Sequence, residues 1–185
     1  LIRDYALRVT YGNWDFLKNR STDKMKFARH RLAWVAYIGG KRESRRITGD
    51  VILMEQDILN KTRYPDASFT TTWPIDLHYP RESEVFTGEP FRSVARSQRI
   101  DPYPVPFRCL YSADVSNLFM AGRNISVTHV ALGTVRVMRT CGMMGEVVGM
   151  AASVCKKHNV SPRDVYQVHL KELKELMKTG VPSKL

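Results

Sequence analysis

The segment from Asn117 to Ala152 limits what this chain can be more than any other. Asn117 to Ala121 (Asn-Leu-Phe-Met-Ala) reads as a short buried strand, Gly122 follows at once, and a long helix is predicted from about Thr134 to Lys157. A strand that delivers the chain to a glycine lets a ligand approach the backbone, because no side chain stands in the way. The first amides of the helix beyond are unpaired and carry roughly half a positive charge, which suits a phosphate or the negative charge of a reduced ring. Within the helix Gly142, Gly145, Gly149, Ala151 and Ala152 recur at three- and four-residue steps and would let it lie close to a sheet or a cofactor. Each glycine costs a helix about 1 kcal/mol against alanine, so a close approach must offset that cost. Tight packing of helix on sheet, with no ligand, explains the same glycines equally well.

With 185 residues, 43% hydrophobic and 25% charged, the chain has the make-up of a soluble globular domain. No apolar run approaches the roughly 20 residues that a membrane-crossing helix needs. The chain opens at Leu1 with no basic-then-apolar leader and reads as the middle of something longer. A net charge of +11, from 29 Lys and Arg against 18 Asp and Glu, would suit nucleic acid, an anionic surface or an anionic cofactor. No nucleic-acid-binding motif accompanies it, and a missing partner half could equally neutralise it. Cys109, Cys141 and Cys155 are far apart and in no C-x-x-C pattern, so they signal neither a zinc site nor a disulfide framework and read as buried thiols. Their odd number favours a reducing compartment without excluding the periplasm.

Elsewhere, Met25, Ala28, Leu32, Val35 and Ala36 recur as one face of a helix that Gly39 and Gly40 end. Arg45 to Leu53 reads as extended, turning at Gly49-Asp50, and Met54 to Asn60 as a short helical turn. From Tyr64 to Pro80 the residues Phe69, Thr70, Thr71, Thr72, Trp73 and Ile75 favour strand, with Pro74 making it an edge or irregular one. Residues 81–108, with Pro90, Pro102, Pro104 and Pro106, read as a long surface excursion within one folded unit. The last helix is marked by Ser161 as N-cap, Pro162 at its first position, Asp164 three residues past the cap and Gly180 after its last turn.

Several side chains are candidates for chemistry. If residues 42–46 are extended, Glu43 and Arg45 share one face and Arg42, Ser44 and Arg46 the other. An arginine there could hold a carboxylate or oxyanion with its planar fork of donors; a solvated edge strand or an internal Arg-Glu pair is the plainer alternative. On the later strand Asp76 and His78 face the same way, and an Asp so placed orients an imidazole for proton transfer. His129, between the glycine turn and the long helix, is a second candidate for that role, whereas His30, His158 and His169 fall on predicted helices and read as structural.

Three stretches together carry a resemblance: Gly40 to Leu53 followed by Asp57, Thr71 to His78, and Val115 to Ser126 continuing through Gly133 to Met138 to the small residues of the helix. They resemble the closing portion of the FAD-dependent oxidoreductase family, and with their connections they extend over most of residues 30–155. The resemblance implies an α/β fold: the carboxyl-terminal part of a Rossmann-like FAD-binding domain with part of a substrate or cap region. Residues 1–108 would belong to the substrate or cap region, 109–160 to the closing strand and helix of the FAD-binding domain, and 161–185 to a carboxyl-terminal helix. Gly122, Arg123, Ser126, Arg136, Val137 and Met138 become candidate FAD contacts, Arg42 and Arg46 candidates for positioning a small organic substrate, and His78 and His129 candidates for moving a proton during hydride transfer. Two departures stand out. Arg139 occupies a position where many relatives have proline, and no G-x-G-x-x-G fingerprint, which holds the FAD pyrophosphate, occurs in the chain. The amino-terminal half of the FAD site is therefore expected from the same or a partner chain. The rival readings are a non-catalytic basic module for a polysaccharide or nucleic acid, and a structural subunit completing a partner's flavin site.

Overall fold

The computed structural model describes residues 2–40, 42–82 and 91–180, with Leu1–Arg42 and Glu43–Leu185 forming separate units. In the first unit α1 (Ile2–Asp15) runs into a single π turn (Phe16–Arg20), and α2 (Lys24–Phe27) follows. The predicted helix through Leu32 to Ala36 does not form. Lys18 explains where α2 stops: its ammonium donates to the carbonyls of Phe27, Ala28 and His30 at 3.3, 3.1 and 2.5 Å. Those are acceptors that the amides of residues 31, 32 and 34 would need to continue the helix. The apolar spacing there meets no surface to bury against, and Trp34 is 79% exposed.

The second unit holds the core, in which Leu53, Phe69, Tyr103, Val105, Phe107, Tyr111, Met120, Leu132, Met144, Val165 and Leu173 are enclosed. Residues 45–53 form no strand; this segment is instead pinned by single backbone bonds, Ile47 N–H to the Asn124 carbonyl and Leu53 N–H to that of Ser126. Gly49 is required in that course, because a Cβ there would collide with the Arg108 and Tyr111 carbonyls. The expected helical turn is α3 (Glu55–Leu59), and its Asp57 carboxylate accepts the Met54 N–H at 2.9 Å and the Tyr64 hydroxyl at 3.0 Å.

The expected strand divides at Thr72–Pro74 into β1 (Ala67–Thr71) and β2 (Ile75–Glu82). The excursion expected over 81–108 contains two further strands, β3 (Phe91–Gln98) and β4 (Tyr103–Pro106). Pro90, the first of its prolines, lies outside the described residues. β2 pairs antiparallel with β3, from Ile75 opposite Gln98 to Tyr79 opposite Val94. β1 pairs antiparallel with β4, whose Pro104 faces Thr70 in this two-stranded sheet, where a strand edge tolerates proline. The chain thus mixes helices and strands, and among the described residues the one parallel pairing is the Leu53–Val127 bridge.

The predicted strand at 117–121 contributes an isolated bridge, Phe119 with Tyr111. The predicted long helix is two: α4 (His129–Val135), capped by the Thr128 hydroxyl, and α5 (Met138–His158). α5 buries Thr140, Met144, Val147, Ala151 and Val154 against the core, while Gly142, Gly145 and Gly149 face outward with nothing within 4 Å of where a Cβ would stand. The final helix begins as expected, with the Ser161–Asp164 capping box and Pro162 at its start, but it also divides, into α6 (Pro162–Gln167) and α7 (Leu170–Thr179).

Two ion pairs tie these elements together. Asp66, fully buried, takes Arg108 in a fork of two 3.0 Å bonds, with the guanidinium 4.5 Å from the Tyr166 ring centre. Arg163 of α6 forks onto Asp50 at 2.6 and 2.8 Å, and the Tyr111 hydroxyl donates to the same carboxylate at 2.8 Å.

Candidate active site

β2, α4 and the start of α5 bring the candidate residues into two clusters. α4 can lie directly on β2 because Gly133 has no side chain; a Cβ there would stand 2.9 Å from the Asp76 carbonyl oxygen and 3.0 Å from its amide nitrogen. The contact is locked by threonines: the Thr134 hydroxyl donates to the Trp73 carbonyl, and the Thr71 hydroxyl donates to the Thr134 carbonyl at 2.8 Å. Arg136, the C-cap of α4, then reaches the Asp76 carbonyl at 2.9 Å and its carboxylate at 3.0 Å. The same carboxylate oxygen lies 3.3 Å from His78 Nε2. Asp76 and His78 do share a face, and the set is Arg136–Asp76–His78. A guanidinium and an imidazole on one carboxylate can hold the ring in a fixed orientation for proton exchange.

The second cluster joins residues far apart in the chain. Glu43 Oε1 lies 2.5 Å from His129 Nδ1 and accepts from Arg46 at 2.6 Å. Burial pushes the Glu43 carboxyl upward, but hydrogen bonds from His129 and Arg46 outweigh it and hold its pKa below the ordinary value. His129 also packs edge-on against Tyr79, ring centres 6.1 Å apart. Among the described residues no hydrogen bond or ion pair links this cluster to the first. Arg46 is engaged by Glu43, as an internal Arg-Glu pair would have it, whereas Arg42 lies in the first unit, is exposed and makes no such contact.

Two cavities are lined by chain neighbours of these residues. A groove of about 550 Å³ is lined by Ile75, Leu77 and Tyr79 of β2 with Arg96, Gln98 and Val130, next in the chain to His129. A second cavity of about 520 Å³ lies at the amino end of α5, lined by Thr70, Thr72, Trp73, Val137, Met138, Arg139 and Met143. Val137 and Met138 are candidate cofactor contacts from the sequence, and Met138 is 92% exposed. Arg136 precedes them and is turned away onto Asp76. Among the described residues the amides of Met138, Arg139 and Thr140 have no backbone acceptor, the first intrahelical bond running from Cys141 to the Val137 carbonyl. The cavity therefore offers apolar walls with Trp73 half exposed, two threonines, one cation and a helix's free donors.

The remaining candidates lie on the loop before α4. Gly122 adopts φ +110°, a conformation that favours glycine, and its amide meets the Met144 sulfur at 3.2 Å. Arg123 is exposed. Ser126 is 1% exposed, and its hydroxyl is buried without a hydrogen-bond partner. Sequence reasoning missed Tyr79 and Met143; it noticed Glu43 as a partner for a neighbouring arginine but not for His129, and noticed Trp73 within the Thr71–His78 stretch and Arg139 only as a departure from the family pattern. Among the described residues no helix is long and apolar enough to cross a membrane.

Comparison with curated proteins and with solved structures finds no match. The FAD dependent oxidoreductase family matches residues 2–177, nearly the whole chain and all of the elements that build both clusters. The chain belongs to the FAD dependent oxidoreductase family.

Proposed function

We propose that this chain forms the flavin-ring side of an FAD-dependent oxidoreductase that acts on a small organic substrate by hydride transfer. The observation that carries the reading is the cavity at the amino end of α5, where Trp73, Val137 and Met138 from two of the family-like stretches meet beside free helix amides. These residues fit a flavin ring: aromatic and thioether side chains suit its faces, and the amides with Arg139 suit its carbonyl edge and the negative charge of its reduced form. FAD, when bound, supplies the hydride chemistry. The chain's own contribution is binding, charge and proton movement. His78, oriented by Asp76 and Arg136, is the first candidate to hold or release a proton at Nε2, on the strand that begins two residues after Trp73. His129, oriented by Glu43, is the second and serves the groove beside Tyr79. Arg46, with Arg42 as the alternative, positions an anionic group of the substrate.

A dinucleotide-binding half carrying the pyrophosphate site completes the enzyme, from the same or another polypeptide. The outward glycine face of α5 supports this, because bare backbone is suited to close packing against another surface. The visible absorption spectrum, recorded after adding FAD to this chain and to a protein carrying both halves, tests the reading. A bound-flavin band in the two-half protein that Arg139→Ala weakens is expected. No band in either protein would remove the flavin site and leave salt-sensitive binding of polyanions as the property to pursue.

A further inference from the structure

The far end of α5 carries a cluster that the flavin reading does not use. His158 is the last residue of α5, His169 is the N-cap of α7, and Glu172 lies in the first turn of α7. Their donor atoms lie within 4.8 Å of one another. His158 Nε2 is 2.8 Å and His169 Nδ1 3.9 Å from the same Glu172 oxygen, Oε2. The other oxygen, Oε1, is taken by Lys157 at 2.7 Å, which fixes the carboxylate so that Oε2 faces the two imidazoles.

The arrangement is set by the fold and not by a chance meeting of flexible side chains. α5 ends on Asn159 in the left-handed conformation, and the capping box of Ser161 and Asp164 sets the path through α6 that returns α7 against α5. The imidazoles stack with ring centres 4.1 Å apart and planes 17° from parallel. All three side chains are only 20 to 30% exposed, so they are constrained yet open to one or more waters.

We propose that His158, His169 and Glu172 form a zinc site that fastens the end of α5 to the start of α7. Two imidazoles and a carboxylate are the ligand types zinc prefers, at about 2.0–2.2 Å from the metal, and the present donor separations need only a turn of one partly exposed ring to converge. Water would complete the tetrahedron. With α5 about 31 Å long at its helical rise, the site lies a helix length from the cavity at Met138, so its role is to brace the helix pair. It stands independently of the flavin reading.

The test is titration of the reduced full chain with zinc chloride, followed by calorimetry and thermal melting, with cobalt chloride as a spectroscopic probe. One zinc per chain is expected, with a rise in melting temperature and affinity at least about tenfold weaker in His158→Gln and His169→Gln. Cobalt should give the visible d–d bands of a tetrahedral nitrogen and oxygen ligand set without thiolate charge transfer, a readout on the unaltered chain that needs no variant to fold. Absence of saturable uptake, affinity unchanged in both variants, or a near-ultraviolet thiolate band from Cys109, Cys141 or Cys155 would overturn the proposal.

Discussion

Glycine-to-alanine substitution separates the two kinds of glycine in the helices that build the site. At Gly142, Gly145 and Gly149 an added Cβ meets nothing within 4 Å, so the helical preference of alanine acts unopposed at about 1 kcal/mol per position. The triple variant is expected to gain up to about 3 kcal/mol, which for a chain of this size raises the melting temperature by roughly 6–12 °C. At Gly133 the same preference is opposed. Alanine there drives a methyl to 2.9 Å from the Asp76 carbonyl and 3.1 Å from Leu77 Cδ2, and overpacking of that kind costs about 1–3 kcal/mol. The net change runs from nothing to a loss of about 2 kcal/mol, and the displacement of α4 from β2 loosens the Arg136–Asp76 contact. Thermal and urea unfolding of the four single variants and the triple measures both signs. A Gly133→Ala protein stabilised as much as the others would refute the close approach of α4 to β2. A triple variant with no gain would show the glycine face already covered in the isolated chain. In a protein carrying the dinucleotide-binding half, the triple should instead lose FAD occupancy, because three methyls would stand in the packed surface.

Asp66→Asn should cost about 3–5 kcal/mol in urea unfolding, since it strips the partner from the largely buried Arg108 guanidinium; a loss under about 1 kcal/mol would mean solvent already screens the pair. Asp50 is held below the ordinary Asp value of 3.8 by its Arg163 hydrogen bonds, so its contribution is complete above that value and is lost as the pH falls below it. Arg163→Gln should therefore flatten the acid limb of the stability profile, and an unchanged limb would remove Asp50 as its source. Trp73→Ala, at a position 46% exposed, should leave the melting temperature almost unchanged while weakening FAD binding about tenfold, or roughly 1.4 kcal/mol; equal affinity in a fluorescence titration would take the flavin ring out of that cavity.

What could be read from the sequence was what is settled locally. The Ser161–Asp164 capping box, the turn at Glu55–Leu59 and the shared face of Asp76 and His78 depend on residues within a few positions of one another. What could not be read depends on distant partners. β3 was hidden by charges and nearby prolines, and its strand character comes from pairing with β2. The Leu32–Ala36 helix failed because Lys18 takes the Phe27, Ala28 and His30 carbonyls that its continuation would need. The pairing of Glu43 with Arg46 could be read locally, but its contact with His129 could not, because the two lie 86 residues apart.

The interruption between α4 and α5 has a consequence for how the cavity at Met138 keeps its charge. In an unbroken helix the amides of Met138 and Arg139 would bond the carbonyls of Thr134 and Val135. Here those two carbonyls are taken over by side chains, the Thr71 hydroxyl at 2.8 Å and the Cys141 thiol at 3.8 Å. The substitute donors keep those two carbonyls satisfied, and the amides of Met138 and Arg139, residues that line the cavity, are left without them. Removing the hydroxyl of Thr71 would leave the Thr134 carbonyl without that donor, while the extended backbone of Val137 still separates the two helices and keeps a positive terminus open in mid-sequence.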